Sequence, residues 1–142
     1  MNGELNVHSN YMARLGITQE DIDSAKRSLD SLSYTSYMLR VAYEETEVEI
    51  VAAILACAYS YEVIAKKMVE NNPAAVDDEF YGSWISGYVS EEYSEENRVL
   101  IEILDDMTKS CTPAQIEHLK EIFLACSRYE MAFWDLSWNM SF

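Results

Sequence analysis

Between residues 47 and 70 the chain carries a segment that is apolar around most of a helical circumference, and this segment decides what the rest can fold into. Ile50, Ile54, Cys57, Tyr61, Ile64 and Met68 recur at spacings of 4, 3, 4, 3 and 4, with Val51, Leu55, Ala58 and Ala65 in an adjacent row. Charge is confined to the ends and to Glu62, Lys66, Lys67 and Glu70. Such a helix must be buried by other elements on nearly every side. With 4 Gly and 2 Pro in 142 residues, the chain has too few turn formers for a sandwich or barrel. The sequence therefore predicts an all-α fold: one helical bundle over 1–142, large enough for its own core.

Caps and stops divide the bundle. Thr18, with Glu20 and Asp21 behind it, predicts a helix over about 18–32. A second follows over 34–43. The central helix covers 47–70 and is stopped by Asn71, Asn72 and Pro73. A shorter one spans 78–88, and another 91–109. The last runs over 112–138, with Thr112 as N-cap, Pro113 in the first turn and Gln115 as the capping-box partner. Short connections predict antiparallel neighbours.

The net charge of −15, with no basic stripe, argues against a nucleic-acid or anionic-membrane partner. Cys57, Cys111 and Cys126 have neither metal-ligand spacing nor the even count of a disulfide framework, which points to a reducing, cytoplasmic compartment. The opening "MNGELNVHSN" lacks a signal-peptide pattern, and the longest strongly apolar run, 50–58, is too short to span a bilayer.

The last helix contains one charge out of place. Glu117, Glu121, Arg128 and Asp135 form a solvated stripe. Glu130 lies roughly 200° from Arg128 around the axis, so it faces the opposite side with Phe123, Cys126, Phe133 and Ser137. A desolvated carboxylate there is pushed toward its neutral acid, the form that suits general acid/base work. The alternative is a buried glutamate satisfied by a tyrosine or backbone donor, with no chemistry. Cys57 is open in the same way, since buried free thiols are mostly inert. Phe80, Tyr81, Trp84, Ile85 and Tyr88 form an aromatic stripe for which core packing is the ordinary explanation. A thiol, a carboxyl and inward-facing phenols could together hold a small flat molecule, the thiolate attacking an electron-poor carbon. Spacing alone does not bring them together.

Four stretches in register resemble the TenA/thiaminase II family: "YTSYMLR" (34–40), "LACAYSYEVIAKKM" (55–68), "YGSWISGY" (81–88) and "SRYEMAFWDLSW" (127–138). The preceding "ELNVHSNYMARLGIT" (4–18) is also similar to that family. The resemblance implies a haem-oxygenase-like, TenA-like helical bundle. It implies a hydrolase acting on aminopyrimidines from thiamin degradation, or on thiamin, for pyrimidine salvage. Cys57 would be the nucleophile and Glu130 the acid/base. Tyr34, Tyr61, Tyr88 and Phe133 would bind the pyrimidine, with no metal, haem or other cofactor. The sequence departs from the family at Ala58 and Tyr59, where a bulkier residue and a Trp are usual. The resemblance covers roughly the family's C-terminal two-thirds, without the N-terminal helices that supply a substrate-binding aspartate and an aromatic wall. Without those helices, the third and last helices should expose apolar surface. The implied partners are a small molecule and either further copies of the chain or a complementing polypeptide. The alternative function is a pyrimidine-binding or oligomerising subunit without turnover.

Overall fold

The computed structural model describes residues 2–140, with side chains from Val7 onward; Met1, Ser141 and Phe142 of the expected 1–142 domain lie outside the described residues. Every regular element among them is helical: α1 (Asn2–Arg14), α2 (Gln19–Ser24), α3 (Leu29–Glu44), α4 (Glu47–Asn71), a 3-10 turn (Pro73–Asp77), α5 (Gly82–Tyr88), α6 (Glu91–Thr108) and α7 (Pro113–Asn139).

Several boundaries follow from single residues. Thr46 Nα and its hydroxyl both donate to the Glu49 carboxylate, the backbone bond measuring 3.1 Å, and this starts α4. Thr112 and Gln115 close the expected box, Thr112 Nα donating to Gln115 Oε1 at 2.8 Å. The helix expected over 18–32 is instead two. Ala25 turns extended (φ −63°, ψ 131°), and Ser28 caps α3 by accepting from Ser31 Nα at 3.2 Å, so α3 begins before residue 34. The helix expected from residue 78 begins at Gly82, because the Asp78 carboxylate accepts from Phe80 Nα and Tyr81 Nα at 2.9 and 2.7 Å and holds a turn. Sequence reading placed no helix at α1. It docks through Tyr11, whose hydroxyl donates to the Phe80 carbonyl at 2.7 Å.

Helix α4 is central, contacted by α3, α5, α6 and α7. By length and composition it could cross a membrane, more than the 50–58 run alone suggests, but it is the core helix here and carries the buried carboxylates Glu49 and Glu62. Its buried side also differs from expectation. The large residues Ile54, Ile64 and Met68 are exposed, whereas Ala52, Ala53, Ala56 and Ala65 are at most 1% exposed. Small side chains let the neighbouring helices approach closely, and the large ones flank that contact. Val41 from α3, Ala53 and Ala56 from α4, and Ile122 and Cys126 from α7 form the core cluster.

Side-chain pairs set the register. Tyr34 stacks on Tyr129 at 5.4 Å and Met38 Sδ meets Cys126 Sγ at 3.6 Å, so α3 and α7 run antiparallel. Along α7, His118 meets Glu45 just before α4 and Glu130 meets Tyr61 further along it, so α4 runs parallel to α7. Helix α6 crosses back along a different part of α4, joined to it through Ala58 and Glu62.

Candidate active site

Residue Glu130 sits on the inner side of α7, as its offset from Arg128 requires, and is 8% exposed. The Tyr61 hydroxyl, one turn past Cys57 on α4, donates to Glu130 Oε2 at 3.3 Å. The bond joins helices 69 residues apart in sequence, a link that periodicity cannot reveal. Tyr34 reaches the same place from α3. Burial raises its hydroxyl above its ordinary value, and the charge of Glu130, a hydrogen bond to Glu130 and the thiols of Cys57 and Cys126 raise it further. Tyr34 thus stays a neutral donor to the carboxyl, close enough to the Cys57 thiol to feel its charge. Cys57 is half-buried, unlike Cys126, which is fully enclosed.

Tyr88 joins through its ring, 5.1 Å from that of Tyr61. Of the expected site residues, the fold therefore brings Tyr34, Cys57, Tyr61, Tyr88 and Glu130 into one cluster. Phe133 differs. It was expected on the buried side with Glu130 but is 41% exposed, and Ser137 further along is exposed too. The antiparallel register explains this, because α3 has reached its first turn opposite Phe133 and no longer covers it.

Sequence reasoning passed over Trp84 and Trp134 as site residues, although both lie in the aromatic motifs. Their rings lie 6.0 and 6.1 Å from Tyr61, and Trp84 is 4.8 Å from Tyr88. Both indoles border an apolar cavity of about 590 Å³. A second cavity of about 790 Å³ is bordered by Trp84, Tyr88 and residues of α6. The described linings of these cavities include neither Cys57 nor Glu130.

One group among the described residues has metal-ligand character: Glu45, Glu49 and His118 bring one donor atom each within 4.8 Å of one another. Its hydrogen bonds already account for it. His118 Nε2 and Glu45 Oε1 are 3.1 Å apart, and Glu49 caps α4 through Thr46.

The fold and cluster define an all-helical protein with a thiol, a carboxyl and phenols gathered beside its central helix. The TENA/THI-4/PQQC family matches residues 1–140, and the chain belongs to that family. An aminopyrimidine aminohydrolase of Helicobacter pylori is 40% identical over 98% of this chain and 64% of its own length. One of Halalkalibacterium halodurans is 39% identical over 98% and 62%. The chain thus spans just under two thirds of these relatives. Among solved structures, a TenA homologue protein from P. horikoshii OT3 superposes with a TM-score of 0.80 at 29% identity, over 96% of this chain and 62% of the other. The expected all-α TenA-like fold is borne out.

Proposed function

We propose that the chain is a thiaminase II-type hydrolase that exchanges an exocyclic amine of an aminopyrimidine for hydroxyl, feeding pyrimidine salvage. The observation carrying this reading is the Tyr61–Glu130 hydrogen bond beside Tyr34 and Cys57. The aminohydrolase names of the relatives support it.

Glu130 protonates a ring nitrogen and so makes the ring electron-poor. The Cys57 thiolate adds to a ring carbon, and the displaced electron pair expels the exocyclic amine from its ammonium form, so that it leaves as neutral ammonia and the water that replaces it gives up the balancing proton. Water adds where the amine left. The sulfur then departs with its electron pair, and Glu130 recovers the ring proton. The sum is amine plus water to alcohol plus ammonia. Tyr34 and Tyr61 hold the carboxyl and ring in place, and Tyr88 supplies an aromatic face.

Ammonia release from 4-amino-5-aminomethyl-2-methylpyrimidine tests this directly, with Cys57→Ala in parallel. Release that vanishes in the variant is expected. Release that persists in Cys57→Ala sinks the assigned mechanism, and none from folded wild-type protein sinks the activity.

A second reading is favoured by one observation. Leu124, Met131 and Trp138 recur every seventh residue along α7 and are all exposed, Trp138 at 88%. Such a stripe supports an associating subunit that binds pyrimidine without turnover. Sedimentation together with pyrimidine binding separates the two: a stable active monomer removes the second reading.

A further inference from the structure

Directly behind Cys57 and Tyr61, α4 is gripped by α6 through polar contacts that the proposed chemistry does not use. Tyr93, Ser94 and Asn97 share one face of α6. The Tyr93 hydroxyl donates to the Ala58 carbonyl at 3.1 Å, and Asn97 Nδ2 donates to the same carbonyl at 3.3 Å. Asn97 Nδ2 also reaches Glu62 Oε2 at 2.5 Å, and Ser94 Oγ donates to Glu62 Oε1 at 2.7 Å. Lys66 closes the set at 2.5 Å from Glu62 Oε1. Ala58 is the residue after Cys57 and Glu62 the residue after Tyr61. The grip therefore brackets the one turn of α4 that presents both site residues.

The Asn97–Glu62 pair at the centre of the grip is buried. Glu62 is 6% and Asn97 2% exposed. A buried carboxylate with its full set of donors is a poor source of net stability, since well-packed apolar residues do as well or better. What it supplies is a single allowed arrangement, because α4 cannot rotate or slide without breaking several bonds together. Rotation matters at this place. A side-chain tip about 5 Å from a helix axis moves about 1 Å for a rotation of roughly 10°. A misplacement of about 1 Å costs on the order of 10²-fold in rate. The grip also continues into the aromatic cluster: the Tyr93 ring meets Tyr88 edge-on at 4.9 Å, and Tyr88 packs on Tyr61 at 5.1 Å.

We infer that Glu62 and Asn97, with Tyr93, are positioning residues that fix the rotation of α4 and so aim the Cys57 thiol and the Tyr61 hydroxyl. This rests on the hydrolase reading for its kinetic consequence, but its structural consequence stands apart. The test compares wild type, Glu62→Leu and the conservative Glu62→Gln. Two readouts are followed: kinetics of ammonia release, and the rate at which iodoacetamide labels Cys57 relative to Cys111 in the native protein.

In Glu62→Leu, kcat should fall by roughly 30- to 100-fold with KM within about twofold, as misplacement of a held group predicts. Cys57 labelling should change several-fold while Cys111 labelling stays constant. Glu62→Gln keeps an acceptor oxygen for Asn97 and turns its amide N–H toward the Ser94 hydroxyl, which can accept, so only the Lys66 contact is given up and most of both losses should be recovered. A folded Glu62→Leu protein with wild-type kcat and wild-type Cys57 labelling overturns the inference. If wild type releases no ammonia, the hydrolase reading fails, and the labelling ratio alone decides on positioning. If Glu62→Leu does not fold, Tyr93→Phe and Asn97→Ser each remove one donor from the Ala58 carbonyl. Unchanged Cys57 labelling in both would overturn the inference equally.

Discussion

At the scale of single residues, Glu130 poses a sharp contrast between packing and chemistry. It is buried against Tyr61 and Tyr34, so Gln in its place keeps the shape and an acceptor for the Tyr61 hydroxyl. If the carboxyl only packs, Glu130→Gln should be silent or slightly stabilising, since the amide keeps the shape and the hydrogen bond of the carboxyl. If it moves the ring proton, the same change should lower kcat by about 10²- to 10⁴-fold. The expected result is a melting temperature equal to or above wild type together with that loss of ammonia release. Tyr61→Phe asks a narrower question. It deletes the hydroxyl bonded to Glu130 at 3.3 Å and leaves the ring contacts with Tyr88 and Trp84 in place. A long hydrogen bond to an ionisable group is worth about 1–2 kcal/mol, so kcat should fall about tenfold. Steady-state kinetics showing no change would remove Tyr61 from the orientation of Glu130.

At the scale of elements, the clearest steric demand is at the start of α5. A Cβ on Gly82 would lie 2.4 Å from the carbonyl oxygen of Val76, a backbone atom of the preceding 3-10 turn. Gly82→Ala must therefore push that turn away from α5 and should destabilise the fold by about 1–3 kcal/mol, measured by urea unfolding. Kinetic losses should follow, because α5 carries Trp84 and Tyr88. The elements also show where the sequence was readable. Thr46, Thr112 and Asn72 mark helix ends by local hydrogen bonding, and those boundaries were legible to within a residue or two. The break at Ala25 was not, because Ala25, Lys26 and Arg27 are sound helix formers and the Ser28 cap is equally able to sit within a helix. Glu62 stood out in the sequence only as one of the few charges along α4. Its donors lie on α6, more than 30 residues further along, so only the fold reveals it as buried. Glu130 was legible for the opposite reason: Arg128 and Asp135 on its own helix define where solvent lies.

At the scale of the whole molecule, the same burial that gathers the site makes stability depend on pH at the alkaline end. Burial, and then the neighbouring Glu130, push the Cys126 thiol from its ordinary 9.0 up to about 11. The unfolded chain therefore loses this proton first, while the folded chain still holds it. Stability from keeping Cys126 neutral is complete below about pH 9 and is lost as pH rises toward 11. Tyr34, raised from 10.0 by burial and by Glu130, adds to the same limb at its upper end. One such proton corresponds to a slope of about 1.4 kcal/mol per pH unit while the two states differ. Cys126→Ala removes the titration but leaves a small void against Met38 and Ile122, so the variant should start about 1 kcal/mol less stable at neutral pH. Its free energy of unfolding should then fall less steeply than wild type above pH 9, and the two curves should converge. Urea unfolding from pH 7 to 11 measures both effects in one series. Parallel curves across that range would mean that the thiol ionises as easily in the folded protein as in the unfolded chain, and that the core around Cys126 is more open to water than its complete enclosure in this fold requires.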